Sequence, residues 1–118
     1  MPSSGGNRRV AATLDPWTTS SPVARVEVAR AAKEDLDRLI RVLSLPADTR
    51  ERVKRSLRPL ARFPRLGPEL SGRWTGYRFI LGPWRWLVIV YVFEEAEDRV
   101  VVVTMQDAGS SSAATASH

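Results

Sequence analysis

The first half of the chain changes from a period of two to a helical period. In residues 23–29 (VARVEVA), valines alternate with charged residues, and this alternation predicts a first strand. Residues 31–43 then place apolar side chains at helical spacing, which predicts an amphipathic helix with one buried face. Those apolar side chains are Ala32, Leu36, Leu39, Ile40 and Leu43. Pro46 is expected to end this helix.

A second helix is predicted to begin at Asp48. Glu51 follows three residues later, which is the spacing of a capping box. Pro59 lacks a backbone N–H, so we expect it to kink or end the regular helix. The buried stripe of this helix is predicted to consist of Val53, Leu57 and Leu60. The link between the two helices is short, so they should form an antiparallel hairpin.

The second half of the chain is rich in β-branched and aromatic residues. Strands are predicted over residues 74–81, 84–93 and 100–105, separated by Gly82-Pro83 and by the acidic residues 94–98. These links are too short for a crossover, so the three strands should form an antiparallel meander. Residues 84–93 are apolar on both faces, which is typical of a central strand that is covered on both sides.

Together these elements predict an α+β fold of the order β-α-α-β-β-β. The helical hairpin packs on one face of an antiparallel sheet, and the first strand is expected at an edge. The folded domain should span residues 23–108 of the 118-residue chain. Residues 1–22 and 109–118 are rich in Ser, Thr, Ala, Gly and Pro, so both are predicted to be disordered tails.

Composition excludes several kinds of chemistry. The chain has no cysteine, and its one histidine is His118, the last residue. Thiolate and imidazole chemistry, and with them most transition-metal sites, are therefore not expected. There is no phosphate-binding glycine motif, so we predict no cofactor and no metal. No apolar run is long enough for a signal peptide or a membrane span, so a cytoplasmic location and no membrane partner are expected.

The positive charge of the chain is concentrated in one segment. The whole chain carries a formal charge of +5, whereas residues 50–85 contain ten basic residues against two acidic ones, a local charge of +8. Such a segment attracts a polyanion, and aromatics beside arginines suit unstacked bases. The alternative is a solvated basic helix face and aromatics that belong to the core. The candidate RNA-binding residues are Arg55, Arg58, Arg62, Arg73, Trp74 and Tyr77.

Two further arginines are the candidate catalytic residues. If Leu81 opposes Trp84 across the Gly-Pro turn, Arg78 and Arg85 lie on the same face of the sheet. Two guanidinium groups on one face could hold a phosphate. The alternative is that one or both arginines form ion pairs with carboxylates of the same chain. The acids considered for those pairs are Glu94, Glu97 and Asp107.

The ordered segments of residues 24–107 resemble the RelE/ParE superfamily, the toxins of type II toxin–antitoxin systems. The resemblance is carried by VEVARAAKEDLDRL, by an Arg-rich helix that ends ARFPRLGPELSG, and by RWTGYRFILGPWRWLVIVYVF before a Val-rich last strand. It implies a bacterial toxin with the fold predicted above, held inactive by a cognate acidic antitoxin. Family members are either ribosome-dependent mRNA endonucleases or gyrase poisons.

The resemblance also implies roles for single residues. Arg78 and Arg85 match basic residues on the family's second and third strands, where they would stabilise the scissile phosphate of mRNA without a metal. Ile80 stands where the best-known nucleases have another basic residue, and residues 107–110 (DAGS) replace their final Arg and Tyr. Growth inhibition by ribosome-dependent mRNA cleavage is the first hypothesis. The alternatives are poisoning of DNA gyrase and a degenerate member that only binds its antitoxin.

Overall fold

The structure, a computed structural model, describes residues 15–108 of the chain. Two helices pack on one mixed sheet of five strands, which confirms the predicted α+β class. The helices are α1 (Arg30–Leu43) and α2 (Thr49–Leu57). The strands are β1 (Thr19–Ser20), β2 (Arg25–Val28), β3 (Arg78–Leu81), β4 (Leu87–Glu94) and β5 (Arg99–Asp107). Short 3-10 turns occupy Arg58–Ala61, Gly72–Trp74 and Glu95–Glu97.

The sheet is mixed rather than antiparallel, with the strand order β1-β2-β5-β4-β3. The predicted meander of β3, β4 and β5 is confirmed, since both of its pairings are antiparallel. The predictions for the first strand are wrong in two respects. β2 runs parallel to β5, and β1 pairs with its other side, so β2 is not an edge strand. A two-residue strand such as β1 is too short to produce a recognisable period in the sequence.

Both helices end as predicted, and the second begins at the predicted residue Asp48 but without the predicted capping hydrogen bonds. Ser44 adopts a left-handed conformation after α1, with φ of 52°, and its N–H is bonded to the carbonyl of Ile40. At α2, Asp48 makes no capping hydrogen bond; its carboxylate pairs with Arg52 instead, at 2.9 Å. The capping box is therefore not formed. After Leu57 the helix tightens into the 3-10 turn that contains Pro59, as the missing N–H of proline predicts.

The core lies between the helices and one face of the sheet. Its fully buried side chains include Leu36 of α1, Leu57 of α2, and Ile89 and Tyr91 of β4. Val88 and Val92 point to the opposite face and are only half-buried. Val90, which lies between them in the strand, is only 4% exposed, so the predicted cover on both sides of β4 is found at its centre and is partial on either side of it.

The folded region begins earlier than the predicted boundary at residue 23. Within the segment predicted to be a disordered tail, Trp17 is only 8% exposed and joins the core, and β1 pairs with β2. Burial of a large aromatic side chain outweighs the polar composition of its neighbours. Residues 1–14 and the predicted tail 109–118 lie outside the described residues. No helix within residues 15–108 is long and apolar enough to cross a membrane.

Candidate functional site

The pairing of β3 with β4 differs from the predicted register. Arg78 opposes Tyr91 and Leu81 opposes Val88, four residues further along β4 than expected. Residues 82–86 form a loop, which is closed by a hydrogen bond from the Gly82 N–H to the Leu87 carbonyl, at 2.9 Å. Arg85 therefore lies in this loop, whereas Arg78 lies on the strand. The predicted pair of guanidinium groups on one strand face is not formed.

The Arg78 side chain is engaged by backbone carbonyls. Its guanidinium donates to the carbonyl of Gly67 at 2.7 Å and reaches the carbonyl of Arg65 at 3.4 Å. These carbonyls belong to residues 65–70, which we call the edge segment because it lies along the outer edge of β3. Two backbone hydrogen bonds attach it there: the Phe79 N–H donates to the Pro68 carbonyl, and the Leu70 N–H to the Tyr77 carbonyl.

Tyr91 holds the same segment from inside the core. Its hydroxyl accepts a hydrogen bond from the Gly67 N–H at 3.0 Å, and its side chain is fully buried. Burial raises the pKa of the Tyr91 phenol above its ordinary value, against smaller opposing effects of the Gly67 hydrogen bond and the Arg78 charge. Gly67 has no room for a side chain, because a Cβ there would lie 2.0 Å from the Phe79 carbonyl oxygen. Arg78 and Tyr91 therefore fix a closely packed backbone.

The loop between β3 and β4 has a different character. Trp84 and Trp86 stack with their rings 5.5 Å apart and inclined by 6°, and the Arg52 guanidinium lies 6.0 Å from the Trp84 ring. Arg85 stands between the two tryptophans in sequence and is exposed. Within residues 15–108 it makes no hydrogen bond or ion pair. We call residues 82–86 the tryptophan hairpin.

The basic segment is partly neutralised by the chain itself. Arg50 pairs with Asp37, and Arg65 contacts both Glu95 and the ring of Phe93. Arg52 and Lys54 pair with acids of their own helix region, and Arg52 lowers the pKa of Asp48. Among the described residues, the basic side chains of the segment without an ion pair are Arg55, Arg58, Arg62, Arg73, Arg78 and Arg85, of which Arg78 donates to backbone carbonyls.

Two of the three carboxylates considered as partners for Arg78 and Arg85 form ion pairs with another arginine. Glu94 and Glu97 both pair with Arg99, and Glu94 is the main cause that raises the pKa of Arg99. Asp107 ends β5 and opposes Leu87 across the β4–β5 ladder. The described structure thus brings no carboxylate of Glu94 or Glu97 to either arginine.

The candidate RNA-binding residues fall into two groups. Arg55 belongs to α2, and Arg58 and Arg62 follow in and after the adjoining 3-10 turn; all three are exposed. Trp74 and Tyr77 contact each other edge to face, with ring centres 5.4 Å apart, near exposed Arg73. No hydrogen bond or ring contact joins the two groups within residues 15–108, and no three acidic or histidine side chains there could hold a metal ion.

Sequence reasoning missed the residues that fix the site. The Gly67 carbonyl accepts a hydrogen bond from Arg78, and the Tyr91 hydroxyl accepts one from the Gly67 N–H. Arg52, which belongs to α2, lies near the Trp84 ring. Gly67-Pro68 was the one available signal, because glycine beside proline marks a local break in regular structure.

Comparison with known proteins assigns the family. The sequence model of the family described as ParE toxin of type II toxin–antitoxin system, parDE, matches residues 26–108. Similar solved structures include the toxin–antitoxin complex RelBE2 from Mycobacterium tuberculosis, at 19% identity and a TM-score of 0.51, with 74% of this chain and 99% of that chain covered. A conserved hypothetical protein from Helicobacter pylori matches at 13% identity and a TM-score of 0.41, with 70% and 91% covered. No protein with a curated description matches significantly. The chain therefore belongs to the ParE family of type II toxins, within the RelE/ParE superfamily.

Proposed function

We propose that this toxin arrests growth by binding a protein target, DNA gyrase, rather than by cutting mRNA. One observation carries the proposal: the register of β3 and β4 places Arg78 on a strand and Arg85 in the loop, so the two do not lie side by side on one strand face. The match to the ParE toxin family supports the action as a toxin, and gyrase poisoning is one of the two activities that the resemblance to the superfamily implies.

Cleavage of mRNA needs several groups around one phosphate. A base must activate the ribose 2′-hydroxyl, an acid must protonate the leaving oxygen, and positive charge must stabilise the transition state. Arg78 is bound to the carbonyls of Gly67 and Arg65. Arg85 has neither a second guanidinium nor a phenol among its contacts within residues 15–108. A single exposed arginine suits binding better than this chemistry.

The tryptophan hairpin has the composition of a protein-binding hot spot. Tryptophan and arginine are the residue types that dominate the energetics of protein interfaces. Stacking of Trp84 on Trp86, with the Arg52 guanidinium 6.0 Å from the Trp84 ring, orders the aromatic groups before any partner binds. An ordered surface loses less conformational entropy on association than a mobile one. Arg85 would then supply the charged contact to the target.

A cognate antitoxin is the second partner we propose, in the bacterial cytoplasm. Arg55, Arg58 and Arg62 are exposed along one continuous helical stretch and have no ion pair within the described residues. An acidic amphipathic segment laid along this stretch would neutralise it. The structural similarity to a toxin–antitoxin complex supports the existence of such a partner.

Ribosome-dependent cleavage of mRNA is the second candidate function. The observation that favours it is that the exposed Arg85 stands between two tryptophans in sequence, since aromatic rings stack on unpaired bases. Arg73, Trp74 and Tyr77 would extend the contact to RNA. In that case the protein would act as a metal-independent endoribonuclease.

Induction of the protein in bacterial cells separates the candidates. We expect growth arrest with double-strand DNA breaks, an induced DNA-damage response and intact transcript ends. A gyrase variant selected for resistance should restore growth. New transcript ends within ribosome-bound codons, without DNA breaks, would contradict the proposal and support the nuclease. Unaltered growth at a verified level of soluble protein would identify a degenerate member.

A further inference from the structure

Residues 63–66, which we call the proline turn, hold two large apolar side chains in solvent. Phe63 is 60% exposed and Leu66 is 55% exposed. Pro64 occupies the second position of the turn, which its fixed φ suits, and the Leu66 N–H donates to the Phe63 carbonyl at 3.0 Å. Pro64 itself is buried. The turn therefore packs its proline inwards and leaves its first and last side chains outside.

The backbone is fixed on both sides of the proline turn. Before it, the Phe63 N–H donates to the Pro59 carbonyl at 2.8 Å, so the turn directly continues the 3-10 turn that follows α2. After it, Gly67 packs against β3 and its N–H donates to the Tyr91 hydroxyl at 3.0 Å. The two apolar side chains are thus presented on a fixed backbone. A surface of this kind needs little ordering when a partner covers it.

The exposed side chains border a shallow hollow of about 330 Å³. The residues that line it are Phe63, Pro64, Arg65 and Leu66. The Arg65 guanidinium is engaged elsewhere, since it pairs with Glu95 at 2.5 Å and lies 5.0 Å from the centre of the Phe93 ring. The aliphatic part of Arg65 is left to line the hollow. Apolar anchor residues of protein partners fill hollows of this kind.

Positive charge without a partner leads up to the proline turn. Residues 55–66 contain four arginines and no acidic residue. Three of these arginines are exposed and make no ion pair within the described residues, and we call them the arginine stretch: Arg55, Arg58 and Arg62. Acidic side chains of a partner are complementary to this charge. Since Leu66 is aliphatic, the hollow favours an apolar side chain over a nucleic-acid base, which stacks on aromatic rings.

We propose that the proline turn is the apolar anchor site for the antitoxin, an inference that rests on the antitoxin partner of the proposed function. The bound segment places carboxylates along the arginine stretch and a bulky apolar side chain in the hollow. The start of α2 lies beside the tryptophan hairpin, because the Arg52 guanidinium approaches the Trp84 ring. A segment anchored at the proline turn therefore runs towards the surface that we assign to the target.

Two labelled acidic peptides, added to the full-length protein at low salt, are the probes. Both consist of Glu-Ala-Ala-Glu repeats; one carries Leu-Phe at each end and the other carries Ser-Ser. By fluorescence anisotropy, we expect the Leu-Phe peptide to bind about tenfold more tightly. Phe63→Ser and Leu66→Ser should each remove this difference and leave the affinity for the Ser-Ser peptide unchanged. Val42→Ser is the matched control, because Val42 is 70% exposed on α1, and it should keep the difference.

A charge variant tests the other half of the site. Arg58→Gln should weaken both peptides by the same factor, since it removes charge and leaves the hollow intact. The melting temperature of every variant verifies its folding, which the exposure of the substituted side chains should preserve.

Equal affinity of the wild type for the two peptides would overturn the proposal, as would a loss of the difference in Val42→Ser. Binding of a single-stranded RNA that is lost in Phe63→Ser would overturn it in favour of nucleic acid. A wild-type dimer that Phe63→Ser dissociates would assign the hollow to a second copy instead. Growth arrest on induction is scored separately: without arrest by the wild type the proposed function fails, whereas this inference is decided by the peptides.

Discussion

The edge segment and the tryptophan hairpin place the same residue type in opposite situations. The Arg78 guanidinium donates hydrogen bonds to two backbone carbonyls of its own chain. It lies next to a fully buried tyrosine. Arg85 is the exposed residue of a loop whose two tryptophans stack on each other and pack against the core. The comparison shows two different roles for arginine. Arg78 stabilises the fold from a strand, whereas Arg85, seven positions later, is available to a partner.

Substitution of Arg78 and substitution of Arg85 should therefore affect different properties of the protein. Removal of Arg78 leaves the Gly67 carbonyl without its closest donor, which affects folding. Removal of Arg85 breaks no hydrogen bond or ion pair within the described residues, so its effect should appear in function. Stability and toxicity, measured on the same variants, separate these two roles.

Gly67→Ala should have the largest effect on stability. The new Cβ would lie 2.0 Å from the Phe79 carbonyl oxygen, so the edge segment must move away from β3. We expect a loss of about 3 kcal/mol in the free energy of unfolding, at the upper end of the cost of overpacking. Urea denaturation measures it. Gly76→Ala is the control: its Cβ meets open space, and only the φ of 95° is strained, so about 1 kcal/mol should be lost.

Arg78→Ala should destabilise the fold by about 2 kcal/mol. The substitution removes a charge-assisted hydrogen bond to the Gly67 carbonyl, and such bonds contribute about 1.5–3 kcal/mol. Arg58→Ala, at an exposed residue without an ion pair in the described region, should stay within about 0.5 kcal/mol of the wild type. Equal denaturation midpoints for the two variants would show that the Arg78 contacts do not stabilise the edge segment.

Tyr91→Phe should cost about 1 kcal/mol at neutral pH, because the Gly67 N–H loses its acceptor. The loss should depend on pH. Since the folded protein raises the pKa of Tyr91, its stabilising effect is complete below the ordinary phenol pKa of about 10 and is lost as the pH rises through the folded value. The difference between wild type and variant should therefore shrink above pH 10. A constant difference from pH 7 to 11 would contradict this.

The sequence predicted those helices and strands whose hydrophobic pattern extends over many residues. The helical spacing around Leu36 and the valine-rich strands predicted α1, the meander and the α+β class correctly. Register was beyond the pattern, because β4 is apolar at nearly every position and many alignments with β3 would bury similar side chains. The register goes with the stacking of Trp84 on Trp86 and with the hydrogen bond from Gly82 to Leu87 that closes the loop. Neither contact can be read from the hydrophobic pattern of the sequence.

The predicted start of the folded domain at residue 23 was too late for a related reason. Composition correctly describes residues around Trp17 as polar, but a single aromatic residue with a matching slot is enough to fix them. The predicted register across the Gly-Pro turn was wrong in the same way, because Arg78 opposes Tyr91 rather than Leu87. Local patterns thus predict elements better than the distances between them.

The most direct test compares growth arrest by Arg78→Gln and Arg85→Gln at equal levels of soluble protein, with the melting temperature of each. We predict that Arg85→Gln melts like the wild type and no longer arrests growth, whereas Arg78→Gln melts several degrees lower and still arrests growth at a temperature where it is folded. Loss of arrest in a fully folded Arg78→Gln variant, with Arg85→Gln still toxic, would contradict the assignment of the two arginines.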